Sequence, residues 1–212
     1  MHRAIRTVLI LCFALATGAA FAQQDFSADM VDTSPGKQGV TKAKVYATKD
    51  KMRFEYPEAQ GGRGAAVITN FSTHTSSALM PDRKMYMEFS QGQTPGSQQW
   101  SRELFRLSDA GNACDEWLKM QWNRGGTCKN LGSDTVNGRS AIKYEGTRAN
   151  GDTGYVWVDK KIGFPIKWQG KNGQGELQNI KEGSQPASLF DIPSDYQKFQ
   201  MPAGMQNMQR PQ

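Results

Sequence analysis

Residues 155–170 read YVWVDKKIGFPIKWQG, two runs rich in valine, isoleucine and aromatics on either side of Lys160-Lys161-Ile162-Gly163. Such runs, separated by a short glycine-containing break, describe a β-hairpin. Its register depends on the turn. A four-residue turn pairs Asp159 with Phe164, Trp157 with Ile166 and Tyr155 with Trp168, so that Tyr155, Trp157, Phe164, Ile166 and Trp168 share a face. A five-residue turn slips the register by one, puts Val156, Val158, Phe164, Ile166 and Trp168 on one face, and leaves Trp157 outside with Pro165 and Lys167. In both cases Phe164, Ile166 and Trp168 stay together and face inward.

Working outward, Asn-Gly occurs at Asn137-Gly138, Asn150-Gly151 and Asn172-Gly173, the dipeptide favoured in tight hairpin turns. Between these turns the segments 128–136, 139–147, 154–159, 164–170 and 175–181 read as the strands of an antiparallel meander. The first half alternates in the same way, with further breaks at Pro35-Gly36 and Pro81-Asp82. In KMRFEY, Met52, Phe54 and Tyr56 oppose Lys51, Arg53 and Glu55; in KMYMEF, Met85, Met87 and Phe89 oppose Tyr86 and Glu88; in TKAKVYA, Ala43 and Val45 oppose Lys42 and Lys44. One apolar and one wet face characterise an antiparallel sheet covered on one side.

Helical periodicity is confined to two windows. Trp100, Leu104 and Leu107 form one stripe; Cys114, Trp117, Leu118 and Trp122 form another, with Asn112 as its cap, Asp115 and Glu116 in its first turn and Gly125-Gly126 at its end. About nine or ten strands with so little helical cover bury their apolar face only if the sheet curls. The expected fold is therefore α+β but mainly β: a strongly curved antiparallel sheet, an incomplete barrel, with a short helical insert.

The chain has 212 residues and opens MHRAIRTVLILCFALATGAAFAQQ, where Arg3 and Arg6 precede a short apolar run and Ala20-Phe21-Ala22 offers a cleavage site. This reads as a secretory signal peptide over residues 1–22, which predicts a periplasmic or secreted protein with no membrane-spanning segment after cleavage. Its loss removes Cys12, Arg3 and Arg6, taking the formal charge from +6 to +4 and leaving Cys114 and Cys128. An even cysteine pair in an exported chain predicts a disulfide, worth up to ~3 kcal/mol for a loop of about 15 residues. The mild positive charge lacks the clustered Lys/Arg stripe of a nucleic-acid surface. Residues 23–200 read as a single domain, and 201–212 as a disordered Met/Gln/Pro tail in preference to a Cu(I) site built from Met201, Met205 and Met208.

Enzymatic signatures are missing: the sequence has no Gly-x-Ser-x-Gly, His-Glu-x-x-His, phosphate-binding loop or Cys-x-x-Cys. His74, in FSTHTSS, is the one histidine outside the leader, and it reads as a surface residue of a threonine-rich strand. No catalytic residue, cofactor or metal is expected.

The segments FSADM, KMRFEY, SALMPDRKMYMEF, TVNGRSAIKYEG, VWVDKKIGFPIKW and SLFDIPSDYQKF, in that order, resemble the lipoprotein-carrier-like superfamily over about residues 24–200. The resemblance implies a helix-lidded, incomplete barrel whose apolar cavity receives acyl chains, with Met52, Phe54, Tyr56, Trp157, Ile166 and Trp168 on its wall. Two departures are the Cys114 to Cys128 loop and the lack of an anchor cysteine. The functional expectation is a non-enzymatic binder of a lipid or other apolar molecule; the alternative is an envelope protein-interaction or sensing module with a packed core and no ligand.

Overall fold

The computed structural model describes residues 24–33, 41–59, 63–90, 107, 109–119, 125–171 and 173–199. The leader at 1–22, the tail at 201–212, Trp100, Leu104, Trp122, Pro35-Gly36 and Asn172 lie outside the described residues. The elements are β1 (Phe26–Asp32), β2 (Thr41–Ala47), β3 (Lys51–Ala59), β4 (Arg63–Asn70), β5 (Thr75–Met80), β6 (Met85–Ser90), helix α1 (Ala113–Leu118), β7 (Thr127–Val136), β8 (Arg139–Thr147), β9 (Thr153–Asp159), β10 (Pro165–Gly170), β11 (Gly173–Glu182) and β12 (Gln197–Lys198). All twelve strands belong to one curved sheet in the order β12-β6-β5-β4-β3-β2-β1-β11-β10-β9-β8-β7. Only the two-residue β12 runs parallel to its neighbour. Strand β1 is the seam: it pairs with β2 on one side and β11 on the other, joining a meander of β1–β6 to one of β7–β11.

The hairpin at 155–170 resolves its register through a bulge. The turn has four residues, with Asp159 N–H donating to the Phe164 carbonyl (3.0 Å) and Gly163 N–H to the Asp159 carbonyl (3.0 Å). Asp159 Oδ1 holds the turn by accepting from the backbone N–H groups of Lys161 (2.8 Å) and Ile162 (2.9 Å). The ladder then shifts between Pro165 and Lys167, so that Lys167 opposes Trp157 and Trp168 opposes Val156. A four-residue turn followed by an extra residue at Ile166 thus produces, beyond the bulge, the register of the longer turn.

One face of the sheet carries the main core. Phe26, Ala47 and Met52 form one cross-strand row; Ala28, Val45 and Phe54 form the next; Leu177, Met30 and Ala43 form a third. The same apolar cluster takes in Phe71 from the β4–β5 turn, Val136 from the end of β7, and Ile162 and Phe164 from the β9–β10 turn. Residues so far apart in the strand order, from β3 to β7, share a cluster because the sheet curls, and we call this face inner. Phe26 meets Phe164 edge to face at 5.1 Å between ring centroids.

The opposite face is not simply wet, which corrects the one-sided expectation. Ala66, Ile68 and Leu79 point outward from β4 and β5 and are covered by Phe190, with Leu189, Tyr196, Tyr46 and Tyr86 alongside. The cover is a strap, residues 183–199, with a 3-10 turn at Ala187–Phe190. It is pinned by Arg53 Nη1 donating to the Leu189 carbonyl (2.8 Å) and by backbone N–H groups of Gln197 and Phe199 donating to the carbonyls of Lys84 and Tyr86 (2.8 Å each). Tyr86, expected in water, packs under this strap.

Helix α1 is a turn and a half, shorter than its stripe predicts. Trp117 is buried, but Leu118 faces out with 42% of its surface exposed, a second correction. The cap is also displaced: Asn112 makes no side-chain capping bond, and Asp109 instead accepts from Gly111 N–H (2.7 Å) while Asn112 Nδ2 donates to Asp109 Oδ2 (3.1 Å). The expected Cys114–Cys128 disulfide is present, with Cα atoms 5.4 Å apart, and ties α1 to β7.

Candidate ligand-binding face

Burial along the inner face follows a gradient. At the Phe26 end, Phe26, Ala47, Val45, Ile162 and Phe164 leave essentially no accessible surface. Towards the other end the large side chains are only half-buried: Phe54, Tyr56 and Trp168 pack against the core without being enclosed by it. Cross-strand registers carry the same face onward to Val67, Ala78 and Met87, and beside them to Met80 and Met85, all half-buried. Methionine, flexible and polarizable, adapts to irregular apolar partners.

The six residues expected on a cavity wall separate into two groups. Phe54, Tyr56 and Trp168 share the half-open inner surface. Met52 and Ile166 are each 1% exposed and belong to packed core. Trp157 also belongs to that core cluster, although beyond the bulge alternation along β9 sets it against Val156, and its partners across the ladders are Lys143 and Lys167. Those two ammonium groups stand 4.8 and 5.1 Å from its ring centroid, and its Nε1 donates to Asp134 Oδ2 at 2.7 Å. That hydrogen bond, helped by Thr135 N–H, holds the Asp134 carboxyl below its usual range. Trp157 is only 6% exposed, buried in the main apolar cluster with the two lysines and Asp134 alongside.

Two local features fix the open end. Trp168 lies across from Gly175 on β11, where only hydrogen fits beneath the indole. Tyr56 has its phenol pushed up, first by burial and then by the Asp32 carboxylate, which places an acid at that end of the apolar surface. Sequence reasoning passed over Gly175; a lone glycine inside a strand opposite a tryptophan is the signal of close approach that marks it.

Val156, the strand partner of Trp168, belongs to a separate apolar cluster under α1. Val156, Ile142, Tyr144 and Val158 there meet Leu107, Ala110, Ala113 and Trp117. Trp117 and Tyr144 make an edge-to-face contact at 5.4 Å, and Tyr144 Oη donates to the Ala110 carbonyl at 2.5 Å. Trp117 Nε1 is buried with no hydrogen-bond partner.

Among the described residues no group of three or more His, Cys, Asp or Glu side chains is placed to hold a metal. His74 sits exposed in the β4–β5 turn at positive φ, apart from the inner face.

No family model and no curated protein matches this chain. Solved structures do. An uncharacterized conserved protein from Thermus thermophilus aligns at 11% identity and a TM-score of 0.53, covering 84% of this chain and 91% of that one. PNGF-II aligns at 12% identity and a TM-score of 0.51, and this chain, 87% covered, spans only 33% of it. An outer membrane lipoprotein-sorting protein domain from Vibrio parahaemolyticus is also similar, at 10% identity and a TM-score of 0.33, with 80% and 90% covered. The likeness is one of fold: an open, curved, mainly antiparallel sheet.

Proposed function

We propose that this protein is exported and binds a lipid or other apolar molecule, without catalysis, on the half-open inner face bearing Phe54, Tyr56 and Trp168. The observation that carries the reading is the gradient of burial on one continuous apolar face, closed at Phe26 and Phe164 and half-exposed at Phe54, Tyr56, Met80, Met85, Met87 and Trp168. A protein gains nothing from leaving such a surface in water unless something covers it. Seating an acyl chain there gains about 0.8 kcal/mol for each methylene removed from water. Phe54 and Trp168 supply broad flat contacts, and the methionines adjust to the chain's shape. The leader-like segment at 1–22 supports delivery of the protein to the cell envelope, where such a binder shuttles or senses amphiphiles.

The test is native mass spectrometry of the protein purified from a periplasmic extract, followed by denaturation and lipid identification. A near-stoichiometric acyl species supports the reading. A clean apo mass, with no uptake of a fluorescent fatty-acid probe, returns the inner face to a packed core and favours the protein-interaction module.

A further inference from the structure

Among the described residues, one buried side-chain polar atom is left without a partner. Trp117 is 7% exposed, and its Nε1–H has no acceptor. A buried donor without a partner costs free energy of the order of the lost hydrogen bond, so native structures keep few of them. The surrounding cluster supplies no remedy. Leu107, Ala110, Ala113 and Val158 offer apolar side chains, and the hydroxyl of Tyr144 is committed to the Ala110 carbonyl. The ring itself is held firmly, edge-on to Tyr144 and carried on a helix stapled to β7 through Cys114–Cys128.

This donor adjoins the candidate site. Val156 and Ile142 are half-buried beside Trp117, and Val156 is the direct ladder partner of Trp168, which joins the two clusters. An apolar molecule lying over Trp168 and continuing across β9 reaches the edge of the Trp117 cluster.

We infer that Trp117 Nε1 is the polar handle of the site, donating a hydrogen bond to a carboxylate or ester carbonyl oxygen of an otherwise apolar ligand. The inference rests on the ligand-binding reading above and narrows it. The ligand is an oxygen-bearing acyl amphiphile, and a bare hydrocarbon of the same length binds less well because it leaves the indole N–H unpaired. A donor fixed in an apolar wall discriminates strongly for a molecule that supplies the acceptor.

Displacement of a fluorescent fatty-acid probe by laurate, methyl laurate and dodecane tests it, in the full exported chain and in Trp117→Phe, which keeps an aromatic ring and removes the N–H. In the wild type, laurate or its methyl ester displaces the probe at about tenfold lower concentration than dodecane, the worth of one hydrogen bond. Whichever of the two does so identifies the acceptor as carboxylate or ester. In Trp117→Phe that advantage disappears while dodecane competes as before. Equal competition by all three in the wild type, or an unchanged preference in the variant, overturns the inference and leaves the ligand reading standing. Failure of the wild type to bind probe at all removes both. If Trp117→Phe does not fold, the indole ¹⁵N–¹H resonance of Trp117 in the wild type serves instead: it shifts downfield with the preferred acyl ligand and not with dodecane, and an unmoved resonance overturns the inference.

Discussion

Trp168 rests on Gly175. The two are directly opposed across β10 and β11, and a Cβ at position 175 would lie 2.5 Å from the indole Cζ2 and 2.4 Å from the Val31 carbonyl oxygen. The absent side chain lets the tryptophan lie flat along the inner face. Gly175→Ala therefore displaces the indole and strains β1 against β11, the seam of the sheet. We expect a loss of at least ~1 to 3 kcal/mol, the usual cost of overpacking. Chemical denaturation measures it, and a changed tryptophan emission spectrum reports the displaced ring.

The unequal burial of the two hairpin tryptophans, Trp157 enclosed and Trp168 half-buried, predicts different phenotypes. Trp157→Ala empties the box between Lys143 and Lys167 and strips Asp134 of its indole donor, so stability falls by ~3 to 5 kcal/mol while probe affinity in the folded fraction holds. Trp168→Ala, at a half-buried position, costs less stability and weakens uptake of a fluorescent fatty-acid probe. Equal losses of uptake in the two variants would show that Trp157 lines the ligand surface as Trp168 does.

Much of this arrangement is legible in the chain. The two-residue alternation of KMRFEY and KMYMEF puts Met52, Phe54 and Tyr56, and Met85 and Met87, on the inner face, as found. Asn137-Gly138 adopts the two positive φ angles, 49° and 78°, that the dipeptide favours. What escaped reading depends on events that alternation does not encode. The bulge at Ile166 sets Lys167, and not Ile166, opposite Trp157 without altering the apolar pattern. Leu189 and Phe190 form too short an apolar pair to announce a strap, so the outer cluster of Ala66, Ile68 and Leu79 looked like a wet face broken by small residues. Leu118 falls on the exposed side because α1 stops after six residues.

That strap has its own consequence. Phe190 is the buried anchor over Ala66, Ile68 and Leu79, and Phe190→Ala leaves the cover of the outer face without its largest contact. We expect destabilisation of up to ~3 to 5 kcal/mol and earlier cleavage of residues 183–199 in limited proteolysis. Unchanged protease resistance would mean that the Arg53 and β12 hydrogen bonds alone hold the strap.

The disulfide spans a sequence separation of 14 residues and links the helix carrying Trp117 to the edge strand β7. Replacing both cysteines, Cys114→Ser with Cys128→Ser, frees that loop in the unfolded chain and costs up to ~3 kcal/mol in the chain-entropy model. The same double variant loosens α1, so the laurate preference assigned to Trp117 weakens together with the denaturation midpoint. A lowered midpoint with the preference intact would show that packing against Tyr144 suffices to hold the indole.

Arg139 anchors an ion cluster that gives the fold part of its acid sensitivity. Its Nε reaches Asp159 Oδ2 at 2.5 Å and its Nη2 reaches Glu182 Oε1 at 2.7 Å, while Lys161 Nζ meets Glu182 Oε2 at 2.5 Å. The cluster joins the start of β8 to the β9–β10 turn and the end of β11. Asp159 is buried and also holds that turn, so Arg139→Met strands its charge and costs ~3 to 5 kcal/mol. Glu182 contributes to the pH dependence: Lys161 first, and Arg139 after it, hold its carboxyl below the ordinary value of 4.5 against the opposing effect of burial. A carboxyl depressed in the folded state contributes stability that is complete above its unfolded value and drains away as pH falls through the lower, folded one. Stability should therefore be steady from neutral pH to about pH 5 and decline below the ordinary carboxylate range. Lys161→Ala removes the larger cause of the depression, so the decline between pH 4.5 and lower values becomes shallower and starts from a lower plateau. Denaturation midpoints across about pH 2 to 7 for the two proteins decide it, and parallel curves would place the acid-labile interaction elsewhere.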